Sequence, residues 1–360
     1  MIRLACFALA VLAVLAPGVR AAEPYAVAAT ERLFPPDRPR HWRGAERPGL
    51  LTTIWYPADP GTAETPHPIG PPGQPLFIGH PIAQNAHVAA APAGFPLVLL
   101  SHGTGGSAGS LDWLGSALAA SGYVMVGLNH PGNTALGPLT GDGFRLWWER
   151  ALDVGEALDG VLADPVLGPR IDRGRIGALG FSLGGYTVLE LAGARTDREA
   201  FEAFCRSPAA DAVCHPPELD RAVSTALTDS PETQASLARA GDSYRDKRIR
   251  AVFAIAPALG EALTPQSLTA IDIPVALLAG AADAIVPVST NIERMKGFLP
   301  GAEMSLLPGA GHYTFLDLCE PAAAPQLGGL CQDGPGVDRA AIHTATVERV
   351  RAFFAKTLAP

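Results

Sequence analysis

The chain has 360 residues, 48% of them hydrophobic, and its 27 Lys and Arg against 35 Asp and Glu give a net charge of −8. That length accommodates one large α/β domain or two small ones. An acidic chain with no basic run and no aromatic–basic interleaving argues against a nucleic-acid partner.

Taken in order, the chain opens with a short basic start, Met1-Ile2-Arg3, and an almost wholly apolar stretch over residues 4–17. Val19-Arg20-Ala21 then offers small residues on either side of Arg20 for cleavage near Ala21 or Ala22. Residues 1–22 therefore read as a secretory signal peptide, and residues 23–360 as the folded domain. About 13 apolar residues fall short of the roughly 20 that cross a bilayer, so no stable membrane anchor is expected. Cys6 lies ahead of the apolar stretch and not at its end, which argues against a lipoprotein anchor. Removing Arg3 and Arg20 leaves 25 basic against 35 acidic side chains, a charge of −10.

Residues 23–95 are rich in proline, with eight between Pro60 and Pro92. Residues 51–57 (Leu-Thr-Thr-Ile-Trp-Tyr-Pro) are β-branched and aromatic and predict a strand ended by proline. Residues 46–51 lead into it from a preceding strand or turn, and residues 58–95 are too proline-dense for a helix and are expected to wrap the outside of the sheet.

From residue 96 the pattern alternates. Apolar strands are expected at 96–100, 123–128, 175–179, 251–257, 275–280 and 303–307, with helices at 110–120, 144–162 and 337–358. Near-continuous apolar strands between helices predict a mostly parallel sheet covered on both faces. Residues 195–247 break the rhythm; they are more polar, helical in composition, and sit where a small cap would be inserted. No internal repeat is visible.

In such a sheet, ligands bind beyond the carboxyl ends of the strands, so reactive residues just after strands carry the most information. Gly180-Phe181-Ser182-Leu183-Gly184 follows one strand and precedes a helix-compatible run, the pattern of a nucleophile elbow. The serine hydroxyl needs a base, most often histidine, whose proton exchanges near neutrality. Of nine histidines, His312 stands in a glycine-flanked loop after the last strand. Asp283 follows the strand 275–280, whereas Asp272 precedes it, at the wrong end of the sheet. Asp317, five residues past His312, reads as either a further carboxylate or a surface charge. Ser182, Asp283 and His312 stand in the chain order of an α/β-hydrolase triad. The amides of Leu183 and Thr104, the latter in His102-Gly103-Thr104-Gly105-Gly106, are the expected oxyanion donors.

His130, in Asn129-His130-Pro131-Gly132-Asn133, also follows a strand. It reads as a hydrogen-bonded histidine at the pocket rim or as a substrate contact. Tyr186 and Tyr313, near the serine and the base in sequence, are further candidate substrate contacts. Arg150 and Asp153 read as a structural ion pair.

Four cysteines outside the signal segment allow three pairings, and short loops cost least to close, which favours Cys205–Cys214 and Cys319–Cys331. The competing reading is a metal site, but no C-x-x-C or H-x-x-x-H spacing supports one.

Trp55-Tyr56-Pro57, Ser101-His102-Gly103-Thr104-Gly105, Asn129-His130-Pro131-Gly132-Asn133, the elbow and Gly309-Ala310-Gly311-His312 together resemble exported bacterial hydrolases of the predicted dienelactone hydrolase family. These are similar in turn to platelet-activating-factor acetylhydrolases. The resemblance spans roughly residues 45 to 320. It implies an α/β-hydrolase with a Ser-Asp-His triad, no metal or organic cofactor, and cleavage of carboxylic esters. Dienelactone hydrolases proper resemble each other in a cysteine nucleophile; serine at position 182 favours a serine esterase over a lactone hydrolase. The expectation is a secreted or periplasmic enzyme acting on small or lipid-like esters. The alternatives are a polyester or phospholipid substrate, or a non-catalytic binding protein on the same scaffold.

Overall fold

The structure is a computed structural model that describes residues 24–37, 40–218 and 226–359. The expected signal segment, residues 1–22, lies outside the described residues.

Nine strands form one sheet: β1 (Ala26–Phe34), β2 (Leu50–Ala58), β3 (Ala83–Gln84), β4 (Phe95–Ser101), β5 (Val124–Leu128), β6 (Ile171–Phe181), β7 (Ile249–Ile255), β8 (Val275–Gly280) and β9 (Glu303–Leu307). Their order is β3-β1-β2-β5-β4-β6-β7-β8-β9. From β5 to β9 every neighbouring pair is parallel. Every residue of β5 and β8 is buried, as expected of strands covered on both faces.

The helices are α1 (Asp112–Ala119), α2 (Gly141–Arg145), α3 (Glu149–Ala163), α4 (Leu183–Ala192), α5 (Arg198–Cys205), α6 (Pro231–Leu237), α7 (Pro265–Thr269), α8 (Arg294–Phe298), α9 (Ala324–Leu327) and α10 (Arg339–Thr357). Helices α3 and α4 pack against each other and the sheet, and α1 packs with α10. Phe353 of α10 meets Phe253 of β7 with ring centroids 5.6 Å apart. Among the described residues, no helix is long and apolar enough to cross a membrane.

Residues 26–34, where no element is expected from the sequence, form a full strand next to the short edge strand β3, paired antiparallel with β2 from Ala26–Ala58 to Phe34–Leu50. Its alanine-rich first half has weak strand propensity, and the pairing partner, not the local sequence, makes it a strand. Apart from β3, the stretch between β2 and β4 does run outside the sheet, tied down by isolated bridges such as Phe77–Cys319. The helix expected at 144–162 is two helices, because Leu146 leaves helical geometry at φ −96°, ψ 59°. Residues 195–247 carry α5 and α6 between α4 and β7 and dock onto α2. There Asp142 accepts the Thr228 N–H at 2.8 Å and the Thr233 hydroxyl at 2.7 Å.

Cys205 is bonded to Cys214 and Cys319 to Cys331.

Candidate active site

The sharp turn from β6 into α4 holds Ser182 at φ 56°, ψ −119°, a left-handed-side conformation that non-glycine residues seldom adopt. Such a turn brings neighbouring backbone into near contact. A Cβ at Gly180 would meet the Gly184 carbonyl at 2.0 Å, and one at Gly184 would meet the Ser101 carbonyl at 1.9 Å. Glycine at both positions is therefore a steric requirement of the elbow. The Ser182 N–H donates to the Ile255 carbonyl at 2.8 Å, anchoring the turn on β7.

The loops after β8 and β9 bring Asp283 and His312 to the same edge of the sheet. His312 Nε2 lies 2.9 Å from Ser182 Oγ, and His312 Nδ1 lies 2.7 Å from Asp283 Oδ2. A carboxylate can only accept, so Nδ1 carries the ring proton and Nε2 faces the serine hydroxyl as acceptor. The other carboxylate oxygen, Oδ1, accepts the amides of Ile285 at 3.0 Å and Val286 at 2.7 Å, fixing its orientation. The imidazole packs on Phe181, ring centroids 4.9 Å apart.

Above the serine lies a cavity of about 400 Å³. Ser182, His312, Leu183 and Thr104 line its base, so both expected oxyanion donors border it. Leu183 is the first residue of α4, where a helix amide has no intrahelical acceptor. Phe144, Trp147 and Phe201 form an aromatic wall, with Trp147 and Phe201 edge to face at 5.1 Å. Residues 195–247 supply much of the remainder, including the Cys205–Cys214 disulfide.

None of the three candidate substrate contacts is among the residues that line this cavity. His130 is fully buried, with Nδ1 2.8 Å from Asp153 Oδ2 and Nε2 2.9 Å from Ser101 Oγ. The loop after β5 folds it down under the sheet edge, away from solvent. Tyr186 is one helical turn beyond the serine inside α4, and its hydroxyl donates to Glu190 Oε1 at 2.7 Å. Its ring backs onto Trp147 at 6.4 Å, behind the cavity wall and not on it. Tyr313 is half-buried beside His312, and its hydroxyl donates to Glu218 Oε1 at 2.9 Å; Glu218 lines the cavity.

The expected Arg150–Asp153 ion pair does not form. Asp153 pairs instead with Arg43, Nη2 to Oδ2 at 2.6 Å, and with Arg40, Nη1 to Oδ1 at 3.0 Å. Burial alone would push the Asp153 carboxyl up, but the Arg43 and Arg40 guanidiniums hold it well below the usual carboxylate range. Burial and the Arg150 charge push His130 down to about 3, so it is neutral. Arg150 turns to the loops after β4 and β5, donating to the His102 carbonyl and to Asn133 Oδ1 at 3.0 Å. Asp317 is buried, not a surface charge, and accepts the first amides of α1 from Asp112 at 2.9 Å and Trp113 at 3.3 Å. Sequence reasoning missed Arg40 and Arg43. No local pattern marks them, since Arg43 and Asp153 are 110 residues apart.

Three comparisons bear on this arrangement. A relative, Lipase 1 of Moraxella sp. (strain TA144), is 34% identical over 87 residues, 24% of this chain and 24% of that protein. The matched stretch thus spans about a quarter of that relative's length. Among solved structures, a ferulic acid esterase from Streptomyces cinnamoneus superposes with a TM-score of 0.58 at 22% identity, covering 95% of this chain and 92% of that one. At that identity the likeness speaks to the fold, which is the α/β-hydrolase fold. Residues 95–318, from β4 to just past His312, match the family described as serine aminopeptidase, S33, and the chain belongs to that family of hydrolases.

Proposed function

We propose that the chain is an exported serine carboxylic-ester hydrolase working through an acyl-enzyme. The observation that carries this reading is the hydrogen-bonded run Asp283–His312–Ser182 ending at the base of a cavity of about 400 Å³. Ser182 Oγ attacks the ester carbonyl while His312 Nε2 takes its proton, and Asp283 orients and stabilises the imidazolium. The amides of Leu183 and Thr104 hold the oxyanion. His312 returns the proton to the leaving alkoxide, and the alcohol departs. Water then attacks the acyl-serine with His312 as base, and the acid leaves as the serine is restored.

We read residues 195–247 as a cap, and the many described residues among them that line the cavity above Ser182 support small esters over a polymer chain. The volume sits at the lower end of the range for ligand sites, about 300–1,000 Å³, which supports short acyl groups. The lipase and the ferulic acid esterase that the chain resembles support ester chemistry. The motif likeness to predicted dienelactone hydrolases and platelet-activating-factor acetylhydrolases supports a short acyl chain, free or on a phospholipid. Two disulfides suit an oxidising compartment and support export.

A second reading follows from the family's description. Glu202 and Glu218 line the cavity, and a carboxylate there would suit the ammonium group of a peptide N-terminus. Assay of p-nitrophenyl esters from acetate to palmitate beside aminoacyl p-nitroanilides separates the two. Fastest turnover on acetate or butyrate, lost in Ser182→Ala, is expected; faster turnover of the anilides would overturn the esterase reading.

A further inference from the structure

The loop after β4 is held from beneath by side chains that do not reach the cavity. His102 is fully buried. Its Nε2 receives the backbone N–H of His130 at 3.2 Å, and its Nδ1 lies 2.6 Å from the Gly103 carbonyl oxygen. An amide N–H can only donate and a carbonyl can only accept. Both contacts are satisfied by one form of the ring alone: neutral, with its proton on Nδ1. Burial and the neighbouring Arg150 charge push His102 well below the usual histidine range, in keeping with that neutral form.

The Gly103 carbonyl belongs to the same peptide unit as the Thr104 N–H. Among the described residues no peptide bond is cis, so that carbonyl and that N–H point to opposite edges of one plane. The carbonyl edge is taken by His102 Nδ1–H and by the Gly106 N–H at 3.3 Å. Thr104 and Ser182 both line the cavity. The loop also lies hard against the serine, since a Cβ at Gly103 would come within 3.1 Å of Ser182 Cβ. The flanking peptides are held as well. Arg150 donates to the His102 carbonyl, and Asn133 Oδ1 accepts both Arg150 Nη1 and the Gly105 N–H, each at 3.0 Å.

We propose that His102 is a positioning residue for the oxyanion hole: its Nδ1–H, donated to the Gly103 carbonyl, aims the Thr104 N–H at the substrate oxygen, with Arg150 and Asn133 bracing the loop. This rests on the reading of Ser182 as nucleophile. Loss of the aim costs stabilisation of the oxyanion and leaves ground-state binding alone.

The test compares wild type, Ser182→Ala, His102→Ala and His102→Asn on p-nitrophenyl acetate and on a trifluoromethyl ketone, which forms a hemiketal oxyanion on the serine. Loss of one oxyanion donor costs about 10²- to 10³-fold in kcat, so His102→Ala is expected to lower kcat by roughly 30- to 300-fold with KM within about threefold. Affinity for the ketone falls by the same factor. Asparagine branches at Cγ and keeps an N–H near the Nδ1 position, so His102→Asn recovers most of the loss. In parallel, ring ¹⁵N NMR of the wild-type chain reads the His102 tautomer directly and does not depend on any variant folding. A proton on Nε2, an asparagine variant no better than alanine, or unchanged kcat and ketone affinity in a folded His102→Ala each overturns the proposal. Full turnover by Ser182→Ala would instead remove the underlying site reading, and this inference with it.

Discussion

The molecule contains two Ser–His–Asp hydrogen-bonded runs of nearly the same dimensions. In one, Ser182 Oγ, His312 and Asp283 are linked at 2.9 and 2.7 Å; in the other, Ser101 Oγ, His130 and Asp153 are linked at 2.9 and 2.8 Å. Distances therefore do not distinguish the relay proposed as reactive from the other. Three other features do. Ser182 sits on a strained turn that pushes its hydroxyl toward a cavity, whereas Ser101 closes a regular strand and is sealed. Leu183 and Thr104, the proposed oxyanion donors, line the first serine's cavity. The second run is surrounded by the guanidiniums of Arg40, Arg43 and Arg150, which lock its charges in place. A charge that must appear and vanish during turnover needs a site with room to respond, and a fully paired buried network resists that change.

The comparison can be broken most sharply at the two serines. Ser182→Ala should lower ester turnover by about 10⁶-fold, and fluorophosphonate should then label nothing. Ser101→Ala should still be labelled at Ser182 and should keep turnover within about tenfold. Labelling of Ser101 in the wild-type chain would erase the distinction.

The two aspartates come next. Asp283→Asn should leave a folded protein whose kcat falls by about 10⁴-fold, because the histidine loses its orienting acceptor. The same change at Asp153 should act on stability, costing about 3–5 kcal/mol by stranding buried arginine charge. Chemical denaturation and kinetics on both variants check this; a rate loss without destabilisation in Asp153→Asn would contradict it.

A pH titration of thermal stability sharpens the point further. His130 is pushed down to about 3 and His343, stacked on Trp113, to about 4, both first by burial. Each folded-state value is depressed, so the unfolded chain takes up protons that the folded chain refuses. Stability is complete above the unfolded histidine range and should fall as the pH drops from about 6.5 toward 4. A melting temperature that stays flat between pH 7 and pH 4 would show that these rings accept charge in the fold.

The smallest expected effect lies in the nucleophile's own helix. Burial pushes Glu190 up to about 8, against the hydroxyls of Tyr186 and Thr196. An acid with a raised folded value stays protonated in the fold while the unfolded chain ionises, so stability declines as pH rises from the ordinary carboxylate range to about 8. Glu190→Gln should therefore raise the melting temperature at pH 9 by more than at pH 5.5. Equal gains at both would mean that Glu190 is already ionised in the fold.

Much of this was legible in the residue order. Ser182, Asp283 and His312 each follow an apolar strand, and Gly180 is required by a contact within the elbow itself, whereas Gly184 is required by the Ser101 carbonyl of the neighbouring strand. The strand at 303–307 and the helix near 337–358 appear almost as expected, because period and capping are local properties. His130 and Tyr186, read as candidate substrate contacts, do not line the cavity, because position after a strand or near a nucleophile tells which edge a residue occupies, not which way its side chain turns.

What the chain encodes locally is thus the sheet, the elbow and the order of its reactive groups, since backbone sterics and hydrophobic period need only near neighbours. Which of two equivalent relays faces a cavity was decided by contacts far apart in sequence. Arg43 reaches Asp153 across 110 residues, and His102 meets His130 across 28. Those pairings arise only when the sheet has assembled, because burial is what makes an unpaired charge or donor costly enough to choose its partner.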